Sequence, residues 1–165
     1  MMYDPKLIPI DSFSGEFRFL SNFYPSPITV MGISFASVEH AFQAMKAVEL
    51  RACLLVNGTH LETDDRMPDG IRITHDPITA GHAKKAGRLI EKRKDWDDVK
   101  VDVMEFCLRL KFKDTTLFGK LLDTGKRQLI EGNNWGDVTW GVCNGVGENY
   151  LGRLLMYIRS ESRIL

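Results

Sequence analysis

The chain has no excess of either charge: lysine plus arginine and aspartate plus glutamate number 22 each among 165 residues. It therefore has no overall field to draw it onto a nucleic acid or an anionic membrane. Lys84, Lys85, Arg88, Lys92, Arg93 and Lys94 nevertheless cluster in sequence as a candidate local basic patch. No run approaches the ~18 apolar residues of a membrane span. The opening stretch MMYDPKLIPID places acids and prolines where a secretion signal needs a basic start and an apolar core. Cysteine is scarce, and Cys53, Cys107 and Cys143 are an odd number without paired spacing. That argues against a disulfide framework and for a reducing compartment. A cytoplasmic protein without a membrane partner is the expectation; the sequence is silent on oligomeric state.

Metal and cofactor signatures are missing too. His40, His60, His75 and His82 show neither H-x-x-x-H nor C-x-x-C spacing, so core or surface histidines are the simpler reading and no metal is expected. Gly145 and Gly147 form G-x-G, but Tyr150 follows and no βαβ unit surrounds them. There is no Walker lysine-serine pair, so no cofactor is expected. Repeats, low-complexity tracts and linkers are absent, and 165 residues bound one core. Residues 1–165 are read as one α+β domain, compact and mainly helical with short strands.

Ile8–Phe13 and Phe17–Leu20, separated by Ser14-Gly15, and Ile28–Val30 and Ile33–Phe35, flanking Met31-Gly32, read as strand pairs joined by turns. A helix is expected from Ser37 to about Val56. Asn57–Thr74, with Gly58, Pro68, Gly70 and acids at 62, 64 and 65, reads as a surface excursion with a short strand at Ile71–Ile73. Asp76-Pro77 signals another helix start, whose small residues Ala80, Gly81, Ala83, Ala86 and Gly87 permit close packing. Trp96–Phe112 is the clearest helix, with Trp96, Val99, Val103, Phe106 and Leu110 as its apolar stripe. Leu117–Thr124 is a short helix ending at Gly125. Gln128–Ile130 and Trp140–Cys143 read as strands. A last helix starts near Asn149, with Leu151, Leu154, Leu155 and Ile158 inward.

Three polar stretches stand out. In SVEHAFQAMKAVE, Glu39, Gln43 and Lys46 fall at i, i+4 and i+7, one stripe down a helix. A solvated face would carry the same charges. In EGNNWGDVTWGVCNGVGENYLGR, glycines let the backbone approach a ligand and tryptophans offer stacking faces. The following helix start offers free N–H groups to an anion. A turn-rich connection with two core tryptophans is the plainer alternative. In RFLSNFYPSP, Ser21 and Asn22 lie between Leu20 and Phe23, either as a structural turn or as a polar pair in an aromatic pocket. Cys143 reads more simply as a small buried hydrophobe than as a nucleophile.

Taken together, FLSNFYPSP, SVEHAFQAMK and LIEGNNWGDVTWGVCNGVGENYLGRLLMYIR resemble the NADAR family, the NAD- and ADP-ribose-associated domains. The likeness extends through AKKAGRLIEKRKDW, VMEFCLRLKF and LLDTGKRQLIEGN, and covers nearly the whole chain apart from roughly Glu49–Ile78. The acidic stretch Leu61–Gly70 departs from the shorter family pattern. The resemblance implies a compact α+β fold and hydrolysis of an N-glycosidic bond between ribose and a base or amine. Riboflavin-pathway intermediates are one implied substrate class, and ADP-ribose carried on guanine in nucleic acid is a second. Nucleic acid enters only as such a modified substrate.

Breaking a ribose C1–N bond builds positive charge on the sugar and negative charge on the departing nitrogen, so carboxylates are needed near both. Glu39 and Asp137 are the candidate catalytic carboxylates. Lys46 is a candidate nucleophile, because a ribosylamine opens to an imine into which a neutral lysine exchanges. Ser21, Asn22, Phe23, His40, Gln43, Asn149 and Gly141 are expected to hold hydroxyls or the base, with Glu131 as a further acid. Trp135 or Trp140 would stack on the base, and Arg88 and Arg153 would take phosphate. The rival classes are a non-catalytic ADP-ribose or nucleotide-binding module and a purely structural protein.

Overall fold

The computed structural model describes residues 7–49, 58–63, 71–75 and 78–161. Its described residues fall in two compact units, one within Pro25–Val103 and one combining Met1–Tyr24 with Met104–Leu165. Helices joined by two-stranded ladders make it α+β.

The Pro25–Val103 unit opens with β1 (Ile28–Val30) and β2 (Ile33–Phe35), paired antiparallel with Val30 opposite Ile33. Met31 and Gly32 both have positive φ, 50° and 80°, the twist a two-residue hairpin demands. The expected turn is thus present, and Met31, in the left-handed region despite its side chain, is 95% exposed. Ser37 caps α1 (Val38–Ala44), all seven residues of which are buried. The helix stops at Ala44 instead of running to Val56: 45–46 form a turn and Ala47 bridges Lys92. Residues 50–57 lie outside the described residues. The excursion holds an antiparallel pair, β3 (Thr59–Thr63) and β4 (Ile71–His75). The expected strand at Ile71–Ile73 is therefore there and longer. The start signal at Asp76-Pro77 lies outside the described residues, and α2 (Ala80–Ala86) is instead capped by Thr79, whose Oγ1 accepts the His82 N–H at 3.2 Å.

Helix α3 (Trp96–Lys111) contributes Trp96–Val103 to this unit and Met104–Lys111 to the other. Trp96 and Val103 are buried as expected, but Phe106 is 44% exposed. The inward face carries Met104, Cys107, Leu108 and Lys111 instead. A stripe drawn from apolar residues alone cannot find a face that includes a lysine.

In the second unit the expected strand Phe17–Leu20 is a 3-10 helix, Gly15–Leu20, and Ile8–Phe13 forms only a parallel bridge, Ile10 to Leu129. Gln128–Ile130 likewise keeps only that bridge. The parallel ladder lies just beyond, where β5 (Gly132–Asn133) meets β6 (Val142–Cys143). Asp114 Oδ1 accepts the N–H groups of Thr116 and Leu117 to start α4 (Thr115–Asp123), and Gly125 at φ 63° ends it. The last helix, α5 (Tyr150–Glu161), buries Leu151, Leu154, Leu155 and Ile158 as read from the sequence. Its Arg159 reaches Thr124 Oγ1 at 2.7 Å and Arg127 O at 2.9 Å, neutralising the carbonyl end of α4. Cys107 is buried and Cys143 half-buried, and no disulfide joins them. Among the described residues no helix is long and apolar enough to cross a membrane.

Lys111 is 1% exposed, and burial lowers its ammonium from the usual 10.5 to about 7. Between those values the unfolded chain holds the proton that the folded one has shed, so stability rises with pH across that window. Denaturant melts should show the wild type gaining on Lys111→Met by on the order of 1–3 kcal/mol between about pH 7 and 9. Parallel pH profiles for the two proteins would show that the amine is not buried in this way.

Candidate active site

The stripe predicted from sequence exists, but its last member has left the helix. Glu39 sits in the first turn of α1 at 2% exposure, and Gln43, one turn on, is 3% exposed. Gln43 Nε2 donates to Glu39 Oε1 at 2.6 Å, the short distance of a hydrogen bond to a charged acceptor. Lys46 lies just past the helix end, its backbone N–H reaching Gln43 O at 3.3 Å. Its ammonium stands 5.7 Å from the Phe42 ring centroid and 5.9 Å from that of Trp96. Those rings pack on each other at 4.9 Å, tilted by 56°. Lys46 is thus caged by two aromatic faces.

Burial is the largest influence on Lys46 and lowers its pKa; the Glu39 carboxylate raises it, and the Lys84, Lys92 and Arg88 cations lower it again. The net direction is down, which favours the neutral amine. Arg88, expected to hold phosphate, is exposed and close enough to be felt by Lys46. Within the basic run, Lys92 and Arg93 are engaged by Asp97 and Asp95 at 2.8 and 2.6 Å.

His40 does not present a free edge. Its Nε2 donates to Ile78 O at 2.8 Å, since a carbonyl only accepts, and its Nδ1 meets Ser37 Oγ at 2.8 Å. Burial lowers its pKa, against the opposing pull of the Ile78 carbonyl. A neutral ring with both nitrogens used ties the start of α1 to the segment before α2. The sequence signal for that role was the Ser37-x-x-His40 spacing.

In the unit containing Met104–Leu165, the glycine-rich stretch is organised by its own polar side chains. Asp137 Oδ1 accepts the N–H groups of Thr139 at 3.1 Å and Trp140 at 2.8 Å. Asn133 closes the same loop, accepting the Asp137 N–H at 3.0 Å and donating to Asp137 O at 2.7 Å. Asn133 was not singled out by the sequence reading, which had only a pair of asparagines to go on. Asn149 has positive φ, 52°, and uses both ends of its amide, accepting from Glu131 N and donating to Leu129 O. It acts here as a staple between β5's approach and α5. The half-buried Glu131 passes its backbone carbonyl to Val142 N–H, and a side chain at Gly141 would meet that carbonyl.

The Trp140 ring meets Tyr150 edge-on at 6.2 Å, whereas Trp135 is 64% exposed. Arg153 is exposed, over the Tyr150 ring at 5.3 Å. Ser21 Oγ accepts the Phe23 N–H at 3.1 Å in a turn, with Asn22 and Phe23 half-buried at its corner. A groove of about 300 Å³ between Pro9–Phe17 and Arg127 contains none of the expected site residues. The structure thus gathers Glu39, Gln43, Lys46 and Arg88 in one unit and Glu131, Asp137, Trp140, Gly141 and Asn149 in the other. Among the described residues no group of three or more histidine, cysteine, aspartate or glutamate side chains has the geometry of a metal site.

Gly87, at the end of α2, is what makes room for Gln43. A Cβ there would fall 2.8 Å from Gln43 Cδ, 3.0 Å from its Cβ, and closer still to Oε1. At Gly81 in the same helix the nearest atom would be Thr79 Oγ1 at 3.7 Å, an ordinary contact. Gly87→Ala should therefore destabilise the protein by roughly 1–3 kcal/mol. Gly81→Ala should be neutral or stabilising by up to about 1 kcal/mol, from helix propensity. Melting curves of the two variants check this, and equal shifts would show that Gln43 is not confined by Gly87.

The NADAR domain model matches residues 12–163. A Vibrio vulnificus riboflavin biosynthesis protein is 37% identical over 150 residues, covering 87% of this chain but only 35% of that protein. The N-glycosidase YbiA of Escherichia coli is 33% identical over 162 residues, covering 96% of this chain and 89% of its own. An N-glycosidase of Nostoc punctiforme is 33% identical, covering 88% and 85%. The NMR structure of Escherichia coli YbiA superimposes with a TM-score of 0.75 at 30% identity, covering 99% of this chain and 88% of that one. Family model, relatives and fold coincide over almost the full length, and the chain belongs to the NADAR domain family.

Proposed function

We propose that this chain is an N-glycosidase, a hydrolase that cleaves the C1–N bond of a ribosylamine phosphate of the kind made in riboflavin synthesis. The names of its relatives support the N-glycosidase activity and point to that class of small molecule. The observation that carries the mechanism is the caged Lys46 beside the buried Glu39–Gln43 pair.

A ribosylamine opens to an imine at C1. The neutral Lys46 Nζ adds to that carbon, and the departing amine leaves with the proton taken from Nζ, so a lysine imine replaces the substrate imine. Water then adds to C1, releasing the sugar and restoring the amine. Glu39 stabilises the cationic imine and moves protons between the two nitrogens, while the Gln43 hydrogen bond holds its carboxylate in place. Phe42 and Trp96 keep bulk water from the amine, and the Lys84, Lys92 and Arg88 cations both favour its neutral form and attract the phosphate. Asp137, in the other unit, is proposed on its own account as a carboxylate whose charge supports turnover. Because its Oδ1 accepts two loop N–H groups, Asp137→Asn preserves those bonds and isolates the effect of its charge.

The test is free-base release from a panel containing ribosylamine phosphates, their unphosphorylated forms and ADP-ribosyl-guanosine. Glu39→Gln, which can still accept from Gln43, should lower turnover by about 10²-fold or more with little change in substrate affinity. Lys46→Arg keeps the cation and should abolish turnover. Borohydride should trap a sugar adduct on wild-type Lys46, with a yield that climbs with pH below the ordinary lysine range. Turnover retained in Lys46→Arg would replace the imine route with direct attack by water. Binding without cleavage across the panel would make the chain a binding module, and cleavage of ADP-ribosyl-guanosine alone would move it to the second substrate class.

A further inference from the structure

Lys84, Arg88 and Lys92 all act on the Lys46 amine, and contacts within the Pro25–Val103 unit put them there. Gly87 lies against the Gln43 side chain, which brings its neighbour Arg88 up to the Glu39–Gln43–Lys46 stripe. Lys84 precedes Arg88 by one helical turn. On the other side Ala47 bridges Lys92, and Lys46 O accepts the Arg93 N–H at 2.9 Å. The segment carrying Lys92 therefore runs beside Lys46 itself. The cations are not equal. Lys92 Nζ donates to Asp97 Oδ2 at 2.8 Å, whereas Arg88 is exposed and makes no ion pair among the described residues. A guanidinium in that state has its donors available for a planar, bidentate hold on a phosphate.

An amine set among cations rejects cationic ligands and admits anionic ones. The Phe42 and Trp96 rings, 5.7 and 5.9 Å from Nζ, and the buried Glu39 carboxylate favour a positive charge kept on that nitrogen. A protonated imine whose far end carries a phosphate meets both conditions. Neither condition calls for a nitrogen base on the sugar. We propose that the Lys46 site also takes small phosphorylated aldehydes that lack any base, holding them as a reversible imine on Nζ with the phosphate on Arg88. This rests on the reading of Lys46 as the imine-forming amine of the N-glycosidase. The Nζ lone pair adds to the aldehyde carbon, and the carbonyl oxygen leaves as water with the two amine protons. The resulting imine takes one proton from solvent. The sugar phosphate released by hydrolysis belongs to the same chemical class and returns to Nζ by the reverse of its release. Phosphorylated aldehydes thus restrain the enzyme by competing with its substrate.

The probes are glyceraldehyde 3-phosphate and glyceraldehyde, neither of which closes into a five- or six-membered ring. Each is titrated against the full chain with borohydride, which reduces an imine to a stable amine, and the adduct is mapped by peptide mass. Lys46 should be labelled at about tenfold lower concentration of the phosphorylated aldehyde. Arg88→Ala, a surface change, should bring the two aldehydes to within about twofold of each other. Lys46→Arg should carry no adduct at that position, and if it does not fold, the wild-type peptide map decides alone. Glyceraldehyde 3-phosphate should also raise KM for the ribosylamine phosphate and leave kcat unchanged. Equal labelling by both aldehydes, a phosphate preference that survives Arg88→Ala, or labelling confined to other lysines overturns the proposal. Lys46 labelled with phosphate preference in a chain that cleaves no ribosylamine sustains it and sinks the N-glycosidase reading. Cleavage without any aldehyde adduct on Lys46 does the opposite, and a chain that does neither overturns both.

Discussion

A carboxylate with 2% of its residue exposed sits in the first turn of a seven-residue helix, and the Pro25–Val103 unit is arranged around it. An isolated buried carboxylate costs several kcal/mol, and α1 offsets part of that through its aligned N-terminal N–H groups. Gln43 supplies a directed donor at 2.6 Å. For Gln43 to be there, α2 must end against α1 without a side chain at Gly87. His40, two bonds deep in protein partners, holds the same two segments together from the other side. Lys46 completes the arrangement: burial lowers its pKa, the Glu39 carboxylate raises it, and the Lys84, Lys92 and Arg88 cations lower it again.

The second unit solves a different problem. Residues 131–149 contain little regular structure, so their backbone groups need partners that ladders would otherwise provide. Asn133, Asp137 and Asn149 provide them, each bonding to main-chain atoms within the stretch or at its edges. Glycines occur where the main chain passes too close for a side chain, as at Gly141 against Glu131 O and Gly152 against Leu129 O and the Asn149 amide. The stretch is polar because it must satisfy itself. That physical account of its composition is independent of any ligand, and it explains why sequence reading found acids and amides there without being able to say which carry chemistry.

Where a residue pattern has one physical cause, the sequence was legible. The Met31-Gly32 turn, the Ser37 cap, Gly125 after α4 and the apolar face of α5 each follow from local conformational preference or helical period, and each is found in place. The stripe Glu39–Gln43–Lys46 was visible by the same logic. Where two causes compete, the reading failed. Phe17–Leu20 has strand-like residues but winds as a 3-10 helix, because the chain must turn at Ser14–Gly15 and again at Ser21 within a few residues. α1 ends at Ala44 although helix-forming residues continue, because Ala47 pairs with Lys92. Phe106 lies outward while Lys111 lies inward, a reversal that hydrophobic period cannot anticipate.

Sequence alone determined the residue types available to the chemistry, the helical spacing that brings Glu39 beside Gln43, and the family to which the chain belongs, because these depend on local geometry and on matching order along the chain. Tertiary structure decided the states and tasks of those residues. Lys46 is shifted towards its neutral form by burial and by three cations from other segments, His40 is used up by a carbonyl 38 residues away, and Lys111 is buried against a carbonyl 90 residues away. Dielectric environment and long-range hydrogen bonding are properties of what surrounds a group, and no local window of sequence contains them.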